Sequence, residues 1–218
     1  MNLQDRLDAI SNEPSLEVTP EMEAVIDAAV ENLRRSGASE RVIKVGAIAP
    51  DFVLQDIDGR SVALAELRDQ GPVVISFYRG VWCPYCNEDL KAMQEVLSLI
   101  ERAGARLVAI SPQKPIHSRR AARDLSLTFP LLWDEGCTIA EAFGLRFRFP
   151  ADLQRVYVTL GVDLERINGA AGWTLPMPGR FVVERNGSVS YAESDPDYTR
   201  RPDPDRVVAH LNRKAAST

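Results

Sequence analysis

Apolar residues near the start of the chain recur at helical spacing. Leu3, Leu7 and Ile10 mark a first helix. Thr19 followed by Pro20 opens a second, an N-cap with proline at the first helical position. Met22, Val25, Ile26, Ala29, Val30 and Leu33 then line one stripe, and Gly37 stops it. Such a stripe packs either on the rest of the chain or on a partner subunit, which leaves a homodimer open. Residues 1–44 read as a helical extension and residues 45–218 as the main domain.

From Val45 the period changes. Phe52-Val-Leu, Asp58-Gly59 and Val62-Ala-Leu64 read as a β-hairpin around an Asp-Gly turn. Pro72 to Tyr78 is a short apolar run, the pattern of a strand buried on both faces. Leu90, Met93, Leu97 and Ile100 give a helix ending before Gly104, followed by a strand at Arg106 to Ile110. His117 to Leu127 is helical, Phe129 to Trp133 a strand, and Thr138 to Phe143 a short helix. Arg180 to Glu184 and Ser188 to Ala192 flank Asn186-Gly187 as a second hairpin. Asp203-Pro204 opens a last helix carrying Val207, Val208 and Leu211. This alternation indicates an α/β fold with a mostly parallel sheet plus two hairpins. Between Leu145 and Pro176 no period is clean, which reads as a long loop, a lid or a partner surface.

Composition narrows the classes of function. The 218 residues carry 26 Lys and Arg against 31 Asp and Glu, a formal net charge of −5. That counts against a nucleic-acid partner. No apolar run is long enough to cross a membrane. The N-terminal residues lack the apolar core of a signal peptide, so the expected location is cytoplasmic. Three cysteines in such a chain are not a disulfide framework.

The chemistry concentrates in Tyr78-Arg-Gly-Val-Trp-Cys83-Pro-Tyr-Cys86, where the buried strand ends and a helix begins. Free N–H groups and the dipole at a helix N-terminus favour thiolate over thiol. Arg79 adds positive charge, and Pro84 suits the first helical turn. On this reading Cys83 sits near the N-cap, partly exposed and acidic, with Cys86 on the same face at a spacing that allows a disulfide. A zinc site would need ligands from Cys137, His117 and His210, whose spacing matches no motif, so no metal is expected. Two inert core cysteines are the remaining alternative.

Val45-Gly-Ala-Ile-Ala-Pro-Asp-Phe, the hairpin, Phe77-Tyr-Arg-Gly-Val-Trp-Cys-Pro-Tyr-Cys, Val108-Ala-Ile-Ser and Phe181-Val-Val resemble the peroxiredoxin-like branch of the alkyl hydroperoxide reductase/thiol-specific antioxidant family. Leu175-Pro-Met-Pro-Gly-Arg-Phe and Asp195-Pro-Asp-Tyr-Thr-Arg-Arg resemble the same branch. The resemblance covers about residues 45–213. It implies a thioredoxin-like, peroxiredoxin-type fold and a thiol peroxidase. Cys83 would attack a small-molecule peroxide, and Cys86 would resolve the sulfenic acid as a disulfide. Thioredoxin or a glutaredoxin-type dithiol would recycle it, with no cofactor. Two positions depart from the family pattern. Gly80 stands where Thr or Ser is usual, and Pro178 where an arginine is usual. Cys-Pro-Tyr-Cys resembles glutaredoxin, and Pro178 falls where thioredoxins carry a cis-proline beside the cysteines. A thiol–disulfide oxidoreductase and a non-catalytic redox sensor are the alternative functions.

Arg79 and Arg180 are candidates to replace the absent donors, since a guanidinium can steady a thiolate and orient a peroxide oxygen. Tyr78, Trp82, Pro178 and Arg180 are the expected substrate-binding residues beside the catalytic Cys83, Cys86 and Arg79. Cys137 reads as a bystander and both histidines as solvated. Asp195 to Arg201 is either a loop of local ion pairs or a flap over the site. Trp173 and the segment before Pro176 are a candidate lid.

Overall fold

Two runs rich in Val and Ile set the centre of the molecule, because side chains branched at Cβ suit a sheet covered on both faces. The structure, a computed structural model, describes residues 2–12 and 18–216. The parts of the helical extension at residues 1 and 13–17, and of the main domain at 217–218, lie outside the described residues.

Along the chain, α1 (Leu3–Ser11), α2 (Pro20–Arg35) and α3 (Ala38–Arg41) precede a hairpin of β1 (Val53–Asp56) and β2 (Ser61–Ala63). There follow α4 (Leu64–Gln70), β3 (Val73–Phe77), α5 (Pro84–Arg102), β4 (Arg106–Ser111), α6 (Pro115–Asp124) and β5 (Leu131–Trp133). Next come α7 (Thr138–Ala142), β6 (Arg146–Arg148), α8 (Ala151–Thr159), α9 (Leu164–Asn168) and β7 (Thr174–Pro176). The chain ends with β8 (Gly179–Val183), β9 (Val189–Ser194) and α10 (Pro204–Ala215).

Seven strands form one sheet in the order β2-β1-β5-β4-β3-β8-β9. This is the expected α/β architecture, with one correction to strand direction. Only β3/β4 and β4/β5 are parallel, while β1/β2, β1/β5, β3/β8 and β8/β9 are antiparallel. The reason is connectivity. Crossover helices join only β3 to β4 and β4 to β5, and the tight turns of the two hairpins reverse the chain. All five residues of β3 are buried, and Phe77 pairs with Gly179 at the end from which the cysteine loop departs.

The segment from Leu145 to Pro176 is not a loop. It folds into a two-stranded sheet of β6 and β7 with α8 and α9 between them. Its strands have three residues each, too short to register as a period in the sequence. Phe149, Leu153, Tyr157, Leu164 and Trp173 build a separate core cluster, and Met22, Val25, Ile26 and Ala29 of α2 pack against it. The α2 stripe therefore lies on the chain itself, although no residue of α2 is buried. Thr19 accepts the Met22 N–H as the N-cap, with Pro20 in the first turn. Trp173, the candidate lid residue, is buried and stacks on Phe149 instead of facing a cleft.

The first helix enters the main core. Leu3 and Leu7 are buried among Cys86, Leu90 and Met93 of α5. Leu7→Ala should destabilise the protein by about 2–5 kcal/mol, because a fully buried leucine leaves a cavity. Thermal unfolding should show a melting point lower by on the order of 10 °C. An unchanged midpoint would mean that α1 is not part of this core.

Candidate active site

The site begins where β3 ends. Tyr78 N–H still donates to Ile110 O at 3.0 Å, and the chain then turns through Gly80 at φ +148°. Gln113 holds this turn from the neighbouring loop, its Oε1 accepting Val81 N–H at 2.9 Å. Gln113 Nε2 donates to Ser118 Oγ at 2.8 Å and to Tyr78 Oη at 3.4 Å. Cys83 is the N-cap of α5 and Pro84 fills the first turn, as the sequence pattern requires.

Cys83 is 2% exposed and Cys86 0%, so the expected partial exposure of Cys83 is not found. Tyr157 of α8 and Tyr198 of the 195–201 segment stand beside it. Cys83 nevertheless lines a cleft of about 690 Å³ with Arg79, Trp82, Tyr157, Tyr198 and Ile26, whereas Cys86 lies behind it. Cys86 Sγ accepts the Arg79 backbone N–H and Arg201 Nη2, each at 3.4 Å.

This contact pattern reverses the expected acidity. Burial pushes the Cys86 thiol up. The Cys83 thiol donating to it, the Arg201 and Arg79 guanidiniums and the Arg79 N–H outweigh that, and the result is a pKa of about 5. Burial pushes Cys83 well above its ordinary value, and donation to Cys86 and the charge there add to the effect against Arg79 and Arg201. The donors that converge on Cys86 Sγ thus favour a thiolate there over one on Cys83.

Two guanidiniums, of Arg79 and Arg201, act on the sulfurs, and a third, of Arg180, stands behind them. Arg79 is 1% exposed, and Nη2 donates to Tyr157 Oη at 2.7 Å. Its guanidinium carbon lies 4.2 Å from the Tyr198 ring centroid and 4.8 Å from that of Trp82, a cation–π enclosure. Its Nε and Nη1 have no hydrogen-bond partner among the described residues. Arg201 belongs to the segment that the sequence left open as loop or flap. Asp89, one turn beyond Cys86 on α5, holds Arg180 at 2.5 Å and faces Arg201 Nε at 3.7 Å. Arg180 also donates to Pro202 O at 2.6 Å. Arg180 thus lies behind Asp89, and Arg201 is the arginine that touches sulfur.

The remaining expected residues separate. Trp82 lines the cysteine cleft. Tyr78 is wholly buried in the Gln113–Ser118 network, and burial raises its pKa to about 12. Pro178 lies in an adjoining cleft with Arg79, not in the cleft lined by Cys83. No cis peptide bond occurs among the described residues, so the thioredoxin-like cis geometry expected at Pro178 is absent. Cys137 is buried with Sγ 3.6 Å from Thr174 O, and burial raises its pKa. The histidines are half-buried, not fully solvated, and His210 Nε2 lies 2.9 Å from Ser190 Oγ.

Comparison with known proteins fixes the family. The sequence profile of the AhpC/TSA family matches residues 45–192. The chain belongs to the AhpC/TSA family. It is similar to a thiol-disulfide oxidoreductase ResA of Geobacillus thermodenitrificans, 26% identical over 67% of each chain. It is also similar to a chloroplastic peroxiredoxin Q of Gentiana triflora, 31% identical over 67% of this chain and 57% of that one. Several of these curated relatives are matched over less than two thirds of their length. Among solved structures, the peroxidoxin BcpB of Mycobacterium tuberculosis superposes with a TM-score of 0.61 at 23% identity, over 78% of this chain and 97% of that one. This supports the peroxiredoxin-type fold.

Within the AhpC/TSA family frame, Gly80 has a local explanation. A Cβ there would lie 2.3 Å from Trp82 Nε1 and 3.1 Å from Gln113 Oε1, at a φ that disfavours any side chain. The hydroxyl side chain expected at this position is excluded by packing. The sequence reading missed Arg201, Asp89 and Tyr157 as parts of the site. Asp89 was findable, since it lies three residues after Cys86 on the same helical face. Tyr157 carried no local signal.

Proposed function

We propose that the chain is a thiol peroxidase in which Cys83 and Cys86 act as one titrating unit. The observation that carries this reading is the cleft itself, which Cys83 lines together with Arg79, whose Nε and Nη1 are unpartnered among the described residues. As a hydroperoxide enters, the Cys83 proton passes to Cys86, and Cys83 sulfur attacks the terminal oxygen. The O–O bond breaks, Cys83 becomes a sulfenic acid, and the leaving alkoxide takes the proton from Cys86. Arg79 steadies that developing negative charge. The Cys86 thiolate then attacks Cys83 sulfur and expels hydroxide, forming a disulfide. An external dithiol of the thioredoxin or glutaredoxin type reduces it by exchange.

A second reading, thiol–disulfide exchange with protein or glutathione disulfides, is favoured by Cys-Pro-Tyr-Cys and by Gly80. Stopped-flow mixing of the reduced protein with hydrogen peroxide, an alkyl hydroperoxide and a protein disulfide separates the two. The peroxidase reading expects a peroxide reaction far faster than that of free cysteine. Rapid disulfide reduction with slow peroxide reaction would replace it with the oxidoreductase.

A further inference from the structure

A second cleft of about 410 Å³ adjoins the first, and Ile26, Arg79, Tyr157 and Tyr198 line both. Its walls are largely apolar, with Leu33 from α2, Phe147 from β6 and Phe149 and Leu153 beyond. Its polar character is one-sided. Arg41, Arg79, Arg146 and Arg148 line it, and no aspartate or glutamate does. A chain of net charge −5 has thus gathered four guanidiniums and no acid in one apolar trough.

These arginines are not equally committed. Arg146 is paired with Glu141 at 2.5 Å, and Arg41 Nη1 donates to Ser36 O at 2.8 Å. Arg148 is exposed, and its side chain makes no hydrogen bond or ion pair among the described residues. Deeper in, Arg79 keeps two donor atoms unpartnered although it is 1% exposed. A buried guanidinium left in that state is costly unless something meets it.

The geometry points to a carboxylate-bearing apolar hydroperoxide as the substrate, its carboxylate held at Arg148 and its peroxide end under Arg79 at Cys83. This rests on the peroxidase reading for the reacting end alone, because the trough and its charge exist whatever the cysteines do. Apolar walls take the hydrocarbon, Arg148 supplies a charge-assisted contact at the rim, and Arg41 adds to the local positive field. The small Å-scale reach of hydrogen peroxide uses none of this.

Two measurements test the assignment. Calorimetric titration of the whole reduced protein with decanoate and with methyl decanoate reads recognition without any turnover. Decanoate should bind one to one and at least about tenfold more tightly than the ester, with the preference shrinking as salt is raised. Arg148→Glu should weaken decanoate at least about fivefold and leave the ester within about twofold, and Arg148→Lys should restore most of the preference. Stopped-flow oxidation by linoleate hydroperoxide and its methyl ester should show the same order of acid over ester. Equal binding of acid and ester, or an Arg148→Glu variant with an unchanged preference, would overturn the assignment even if peroxides are consumed rapidly. Selective decanoate binding with no peroxide reaction would instead remove the peroxidase reading and with it the assignment of the reacting end.

Discussion

Cys83→Ser is expected to abolish oxygen addition by peroxide, and Cys86→Ser to keep one turnover while losing the cycle. Cys83 is the sulfur that lines the cleft. Its replacement leaves only the Cys86 thiolate, which lies behind it and out of reach, so the fast reaction should fall by at least about a thousandfold. Cys86→Ser removes the partner whose hydrogen bond and charge raise the Cys83 pKa. The negative charge then passes to Cys83, still facing Arg79 and Arg201. A single oxygen should add, and the sulfenic acid should persist for trapping or go on to sulfinic acid at high peroxide. Intact mass after one equivalent of peroxide reads both outcomes. Oxygen added to Cys83→Ser but not to Cys86→Ser would make Cys86 the nucleophile. Cys137→Ser should change neither stage.

The pH dependence follows from Arg201. The reacting species is the pair with one proton removed, and its charge centres on Cys86 at a pKa of about 5. The oxidation rate should therefore be nearly flat above about pH 6 and fall below about pH 5, because acid restores the proton that must leave. Arg201→Met removes the Nη2 contact to Cys86 Sγ, and burial then drives the pKa upward. A shift of about two units or more places pH 6 below the new midpoint, and the rate there should fall roughly tenfold to a hundredfold. It should recover as pH rises toward 9. A variant that is merely misfolded would lose rate at every pH, so the shape of the profile decides. An unchanged profile would mean that Arg201 does not set the acidity of the pair.

Regular structure was legible in the sequence because periodicity reports burial. Thr19-Pro20, Asp203-Pro204 and Cys83-Pro84 each stand where the structure begins a helix, and the run through Val73–Phe77 is the central strand. Strand direction was less legible, since an apolar run in a buried strand reads the same in either sense. The cysteines and Arg79 were legible because helix starts and charge are local properties. Arg201 and Tyr157 were not, being brought to the sulfurs from sites 115 and 78 residues away from Cys86 and Arg79 respectively. Acidity failed for the same reason. The local helix-terminus argument favoured Cys83, but the tertiary donors converge on Cys86.

The surplus of buried positive charge bears on the reduction potential. Arg180 and Arg201 pair with one buried carboxylate, Asp89, and Arg79 lies buried beside the sulfurs. In the reduced protein the thiolate offsets part of that excess. Closing a Cys83–Cys86 disulfide removes the thiolate and leaves the guanidiniums opposed by Asp89 alone. Such an arrangement stabilises the dithiol over the disulfide and makes the oxidised protein the stronger electron acceptor, by about 30 mV for each tenfold bias in the equilibrium. The same arginines that prepare the sulfur for oxidation would thus drive electrons back into it once oxidised.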